Sequence, residues 1–129
     1  MAKSPVLQPR SIRRYGWVPD IPDMRDHMFA APRAGRAKLP AKVDLRPQCP
    51  PIYDQGELGS CTANAIGAAI EFERAQAKQV PDFVPSRLFI YYNERVMEGT
   101  VMSDSGAMIR DGIKSVAKLG APPGAALAL

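Results

Sequence analysis

Cysteine and histidine are scarce in this chain, and their scarcity sets limits before any motif is read. Two cysteines, Cys49 and Cys61, and one histidine, His27, stand among 129 residues. Two cysteines do not make the disulfide framework of a small secreted domain, and no apolar secretory run occupies the N-terminus. No stretch approaches the ~18 apolar residues of a membrane span. A reducing, cytoplasmic setting without a membrane partner is therefore expected, and it would keep Cys61 free to react. A zinc site wants Cys or His ligands. Asp23, Asp26 and His27 form the one cluster of that kind and lack a third ligand nearby, so a polar surface turn is expected there, with no metal.

Acidic residues are also scarce at one end. The net charge is +4, but residues 1–38 carry eight Lys/Arg against three Asp, while the remainder carries nine basic against ten acidic residues. The basic character belongs to the leader. Arg13-Arg14 is its only basic doublet, and no RNA- or DNA-binding pattern follows, so nucleic acid is not an expected partner.

Proline and glycine, by contrast, punctuate the chain freely. Residues 1–14 read as a polar tail, and Tyr15 to Asp23 as an extended segment with two aromatics and two prolines. Residues 31–42 read as a linker. Val43-Asp44-Leu45-Arg46 is a short extended piece ended by Pro47 and Pro50-Pro51, with Cys49 expected as a buried, inert thiol in that turn. The spacing of Ile66, Ile70 and Ala77, with Ala63, Gly67 and Ala69 between, predicts a helix from about Ser60 to Lys78. A second helix is announced by Pro85-Ser86, with Ser86 as N-cap, and runs to about Glu98; Leu88, Tyr92 and Val96 form one face of it. Asn93 reads as helix surface. Asp104 or Ser105 is expected to cap a third helix whose stripe is Ile109, Ile113, Val116 and Ala117, ending at Gly120.

The stretch Gln55-Gly56-Glu57-Leu58-Gly59-Ser60-Cys61 leads directly into the first of these helices. A thiol in the first turn of a helix meets unpaired N–H groups and the positive end of the dipole, which favour the nucleophilic thiolate. The Gln55 side-chain amide can fold back across the glycine turn toward the sulfur. With the Cys61 backbone N–H it would supply the two donors of an oxyanion hole.

Gln55-Gly56, Gly59-Ser60-Cys61 and the small-residue helix after them resemble the nucleophile segment of papain-like cysteine peptidases. The resemblance extends to Val43-Asp44-Leu45-Arg46 and to Asp104-Ser105-Gly106-Ala107-Met108, covering most of residues 39–120. Tyr53-Asp54-Gln55-Gly56 and Pro85 to Tyr92 resemble the bacterial branch. Leu58 stands where better-known members carry a disulfide cysteine, and Thr62 replaces the aromatic residue that usually follows the nucleophile. The resemblance implies an α+β papain-like fold, of which this chain is mainly the helical (left) half: three helices around the central one, with an extended N-terminal leader. It implies peptide-bond hydrolysis with Cys61 as nucleophile and Gln55 in the oxyanion hole, and no cofactor. Gly59 and Ser60 would line the substrate groove, Ser105 and Gly106 would offer backbone hydrogen bonds to an extended peptide or protein substrate, and Met108 would line the pocket for the second residue before the scissile bond.

The partner His and Asn of that signature lie about 130–150 residues beyond the cysteine, whereas this chain ends at Leu129 and its single histidine precedes Cys61. The expected layout is therefore a basic, Pro-rich leader or pro-segment over 1–38, the nucleophile half over 39–120, and a low-complexity tail outside the family pattern over 121–129. Such a truncated form would be inactive or nearly so, and its uncovered apolar face would favour self-association, with Tyr15 to Pro22 covering part of it. The rival reading is a non-enzymatic regulatory fragment that binds peptides or a peptidase.

Overall fold

The computed structural model describes residues 15–28 and 40–124. Three helices carry the fold: α1 (Cys61–Gln76), α2 (Arg87–Glu98) and α3 (Ile109–Leu119), preceded by a 3-10 turn at Arg46–Gln48. The readings of residues 1–14, of the linker up to residue 39, and of the tail beyond residue 124 lie outside the described residues.

The ends of α1 and α2 follow local chemistry. α1 stops at Gln76, short of Lys78, which turns to a positive φ of 51° and cannot continue a helix. α2 begins as expected, with the Ser86 hydroxyl oxygen accepting from the Phe89 N–H at 3.3 Å, and ends on Gly99 in the left-handed region. α3 departs from expectation. Neither Asp104 nor Ser105 caps it; the helix starts at Ile109 after Met108, which has no side-chain cap bond. The Asp104 carboxylate is held elsewhere, by the Gly59 N–H at 3.0 Å and by the Tyr91 hydroxyl. The free N–H of Arg110 is capped instead by Asp20 at 2.9 Å, from a segment 90 residues away.

All three helices pack on one another. The core is Ala63, Ile66, Ile90, Tyr91 and Ala107, flanked by Ile70, Val116 and Ala121. Two helix faces differ from the periodicity reading. On α2, Leu88, Tyr92 and Val96 are exposed, and the inward residues are Ile90, Tyr91 and Glu94. On α3, Ile113 faces outward and Gly112 and Ser115 are buried. The reason is proximity. A Cβ placed on Gly112 would fall 2.4 Å from Ile66 Cδ1 and 2.2 Å from Glu94 Oε1, so only glycine lets the helices approach this closely.

Strand pairing among the described residues is confined to two isolated bridges, Trp17 with Ala107 in parallel and Pro85 with Pro123 antiparallel. In the second, the Ser86 N–H donates to Pro122 O and the Gly124 N–H to Val84 O, both at 2.8 Å. Residues 122–124, at the start of the segment read as a tail, are thus tied to the N-terminus of α2. Cys49 is exposed rather than buried, because its proline-rich turn lies on the outside of the fold. No helix among the described residues is long and apolar enough to cross a membrane.

The N-terminal segment 15–28 lies against the 104–108 loop and the start of α3. Arg110 donates to both Asp26 carboxylate oxygens, at 3.0 and 2.7 Å, and Arg25 pairs with Asp23. The acids beside His27 are therefore engaged by arginines. An apolar groove between α1 and α3 is lined by Ala65, Ala69, Ile70, Ile113 and Val116, and none of residues 15–28 is among its lining; of the strip expected to need cover, Ala63 and Ile66 are buried. The salt bridges and backbone pairing of residues 15–28 with the rest of the fold go to Arg110 and Ala107.

Candidate active site

Cys61 is the first residue of α1 and is half-buried. Its first-turn position leaves the helix's leading N–H groups pointing out of the helix end, where they can stabilise negative charge. Ser60, just before it, is buried and fixed from within the helix: the Asn64 side chain donates to Ser60 O at 2.8 Å and to Ser60 Oγ at 3.1 Å. Asn64 is fixed in turn by Arg87, which donates to its Oδ1 at 2.9 Å, reaches Asp54 O at 3.2 Å and stacks 4.5 Å over the Tyr53 ring. Spacing alone gave no sign of Asn64 or Arg87. The signal is three-dimensional, since Arg87 opens a different helix.

Gln55 folds back over the turn that leads to Cys61, donating from Nε2 to Leu58 O at 2.8 Å. Gln55 and Ser60 share the wall of a cavity of about 350 Å³ with Asn64, Arg87 and Leu88. Among the described residues no side chain hydrogen-bonds the Cys61 sulfur, and His27 is exposed.

On the other flank, Gly59 and Gly106 meet across Gly16. A Cβ on Gly16 would lie 1.8 Å from Gly59 O, and one on Gly106 would lie 2.0 Å from Gly16 O. Gly16 O accepts from the Ala107 N–H at 2.8 Å, and Ala107 O accepts from the Val18 N–H at 2.9 Å. An extended peptide segment is thus already seated beside the turn that leads to Cys61. The residue that pairs with it is Ala107, one place beyond Ser105 and Gly106. The Gly106 N–H donates instead to the Tyr91 hydroxyl at 3.2 Å, and Ser105 is exposed. Met108 sits at the start of α3, its N–H donating to Glu98 Oε1 at 2.7 Å, and it lines a small cavity with Asp20, Ile21 and Arg110.

Tyr91 and Asp104 are the two residues that hold this geometry together. Asp104 links Gly59 to the Tyr91 hydroxyl, and Tyr91 reaches on to Gly106. Burial first, then the hydrogen bond to Asp104, pushes the Tyr91 hydroxyl up to about 12, so it stays protonated and can donate.

No family model matches the chain. It is 43% identical over 124 residues to an uncharacterized peptidase C1-like protein of Acanthamoeba polyphaga mimivirus, a match spanning 84% of this chain and 40% of that protein. Its structure superposes on xylellain, a cysteine protease from Xylella fastidiosa, with a TM-score of 0.76 and 57% identity over 92% of this chain. In fold, the chain is papain-like. It spans less than half the length of either relative, 40% and 44% respectively, and over that span it has the helical half of the papain-like fold. The bacterial resemblance agrees with the Xylella relative.

Proposed function

We propose that this chain carries the nucleophile and one wall of the substrate groove of a papain-like cysteine peptidase. The observation that carries the reading is the union, in one fold similar to a cysteine protease, of a first-turn cysteine with a peptide segment bonded along the adjacent edge. In the proposed reaction the Cys61 thiolate forms a bond to the scissile carbonyl carbon, and the carbonyl π pair moves to oxygen. The Cys61 N–H and Gln55 Nε2, released from Leu58 O, would hold that oxyanion. Collapse expels the amine, which requires a proton, and water then hydrolyses the thioester. The proton donor is an imidazole in enzymes of this logic, and His27 does not bond to Cys61, so hydrolysis by this chain alone is expected to be very slow.

The Gly16–Val18 segment supports a second element of the proposal. It occupies the edge that an extended substrate would use, which is the behaviour of a plug, and substrate must displace it. The same contact favours the rival reading of a peptide-binding module, because the edge does bind a peptide segment. The open apolar groove between α1 and α3 supports self-association of the isolated chain.

A peptide bearing an electrophilic epoxide tests the assignment without needing a general base. We expect a covalent adduct on Cys61 and none on Cys49, lost in Cys61→Ala, with peptide turnover near background. An adduct distributed equally over both thiols would overturn Cys61 as nucleophile. Reversible peptide binding with no adduct would favour the binding module.

A further inference from the structure

A carboxylic acid lies at the three-helix junction one residue from the nucleophile position, and the site described so far does not use it. Glu94, on α2, is completely buried. One of its oxygens accepts from the Thr62 hydroxyl at 2.9 Å, and the other, Oε1, has no hydrogen-bond partner among the described residues. Thr62 directly follows Cys61 in the first turn of α1, and it too is buried. Oε1 points at Gly112 of α3, where a Cβ would come within 2.2 Å of it. The fold therefore keeps a glycine on α3 and a threonine on α1 around a single acid on α2.

We propose that Glu94 is a positioning residue for Cys61: through Thr62 it locks the first turn of α1, and its charge state governs how readily the adjacent thiol reacts. The proposal rests on Cys61 being the nucleophile. A neutral Glu94 leaves the helix end free to stabilise a sulfur anion. An ionised Glu94 places a second negative charge beside that same turn and opposes it. The charged groups facing the carboxyl are Arg95 and Glu98 on its own helix and Asp111 on α3, while α1 presents Thr62 and Ile66. Burial is the main influence, and Glu98 and Asp111 act in the same direction, moving its ionisation up to about 7.

The test is the pH profile of alkylation at each thiol of the full chain, read by peptide mapping after limiting iodoacetamide. Cys49, exposed in the proline-rich turn and not part of α1, serves as the internal reference. Glu94→Gln keeps the acceptor for Thr62 and cannot ionise. We expect it to match the natural chain at Cys61 below pH ~6 and to react roughly two- to fivefold faster above pH ~8, the size of one charge acting on a helix terminus. Cys49 should be unchanged at every pH, and Thr62→Ser, which retains the hydroxyl, should keep the natural profile. Superimposable Cys61 profiles for Glu94→Gln and the natural chain would overturn the proposal. So would a uniform acceleration of both thiols, which reports loosened packing only. If Cys61 proves no more reactive toward the peptide epoxide than Cys49, the nucleophile assignment fails; if that assignment holds and only the pH step is absent, this proposal alone fails.

Discussion

Where α1, α2 and α3 meet, Thr62, Glu94 and Ser115 are buried beside Ile66 and Ile90 with Gly112 between them, whereas the groove that opens between α1 and α3 is lined by Ala65, Ala69, Ile70, Ile113 and Val116. Polar and small residues share the inside with Ile66 and Ile90, while Ile113 of α3 and Leu88 and Val96 of α2 lie outside, which a simple amphipathic reading does not give. Close approach explains the first set, since a contact tight enough to put Ile66 and Glu94 against Gly112 leaves no room for a branched side chain. The second set forms an apolar face that remains open among the described residues. The junction is thus the rigid part, sensitive to single atoms, and the groove should tolerate change.

The largest expected effect concerns the charge at the junction. Glu94 ionises at about 7 in the fold, against an ordinary value of 4.5, with burial as the first cause. The folded chain then keeps a proton that the unfolded chain releases between those values. Stability should fall as pH rises from about 4.5 to about 7 and level off above, by about 3 kcal/mol in all. Denaturant titrations across that range should show the decline in the natural chain and its loss in Glu94→Gln. An unchanged slope in the variant would mean that another group carries the dependence. Asp23 and Asp26, held low chiefly by their arginine partners, act in the opposite sense and only in acid.

Next in size is a pair of substitutions that contrasts the two seams. Gly112→Ala would force atoms against Glu94 and Ile66, and we expect a loss of about 1–3 kcal/mol despite alanine's better helix propensity. Ile113→Ala, one residue away in the open groove, should change stability by less than about 0.5 kcal/mol. Equal losses from the two, in thermal unfolding, would erase the distinction between junction and groove.

The smallest effect on stability tests whether the same close-contact rule seats the N-terminal segment. Gly16→Val cannot fit against Gly59 O, so Gly16–Val18 should leave the Ala107 edge while the helices stay folded. Trp17 is the only tryptophan and reports on the segment directly. We expect its fluorescence anisotropy to drop, helical circular dichroism to hold, and Cys61 to alkylate faster. Unchanged anisotropy would mean that contacts other than Gly16 hold the segment.

Much of the local structure was legible because it depends on neighbours in sequence. Pro85-Ser86 and Gly99 bound α2 through a cap bond and a left-handed turn that any chain context would favour. Small residues in α1 announced close packing, and the Gly59-Ser60-Cys61 step placed the thiol in the first turn. Three helices, their order and the cysteine at the head of the first were thus readable along the chain.

Tertiary structure decided which side of each helix faces in and which residues hold the turn before Cys61. Periodicity counted Leu88, Tyr92 and Val96 as a face, yet burial selected Ile90, Tyr91 and Glu94. Asp104 looked like a helix cap, but Gly59 and Tyr91 claim its carboxylate, and Asp20 caps α3 from 90 residues away. Periodicity ranks faces by hydrophobicity, whereas the helices of this chain meet where side chains are small enough to let them. A hydrogen bond goes to whichever donor the fold brings within 3 Å, and that distance is not written in the spacing of residues along the chain.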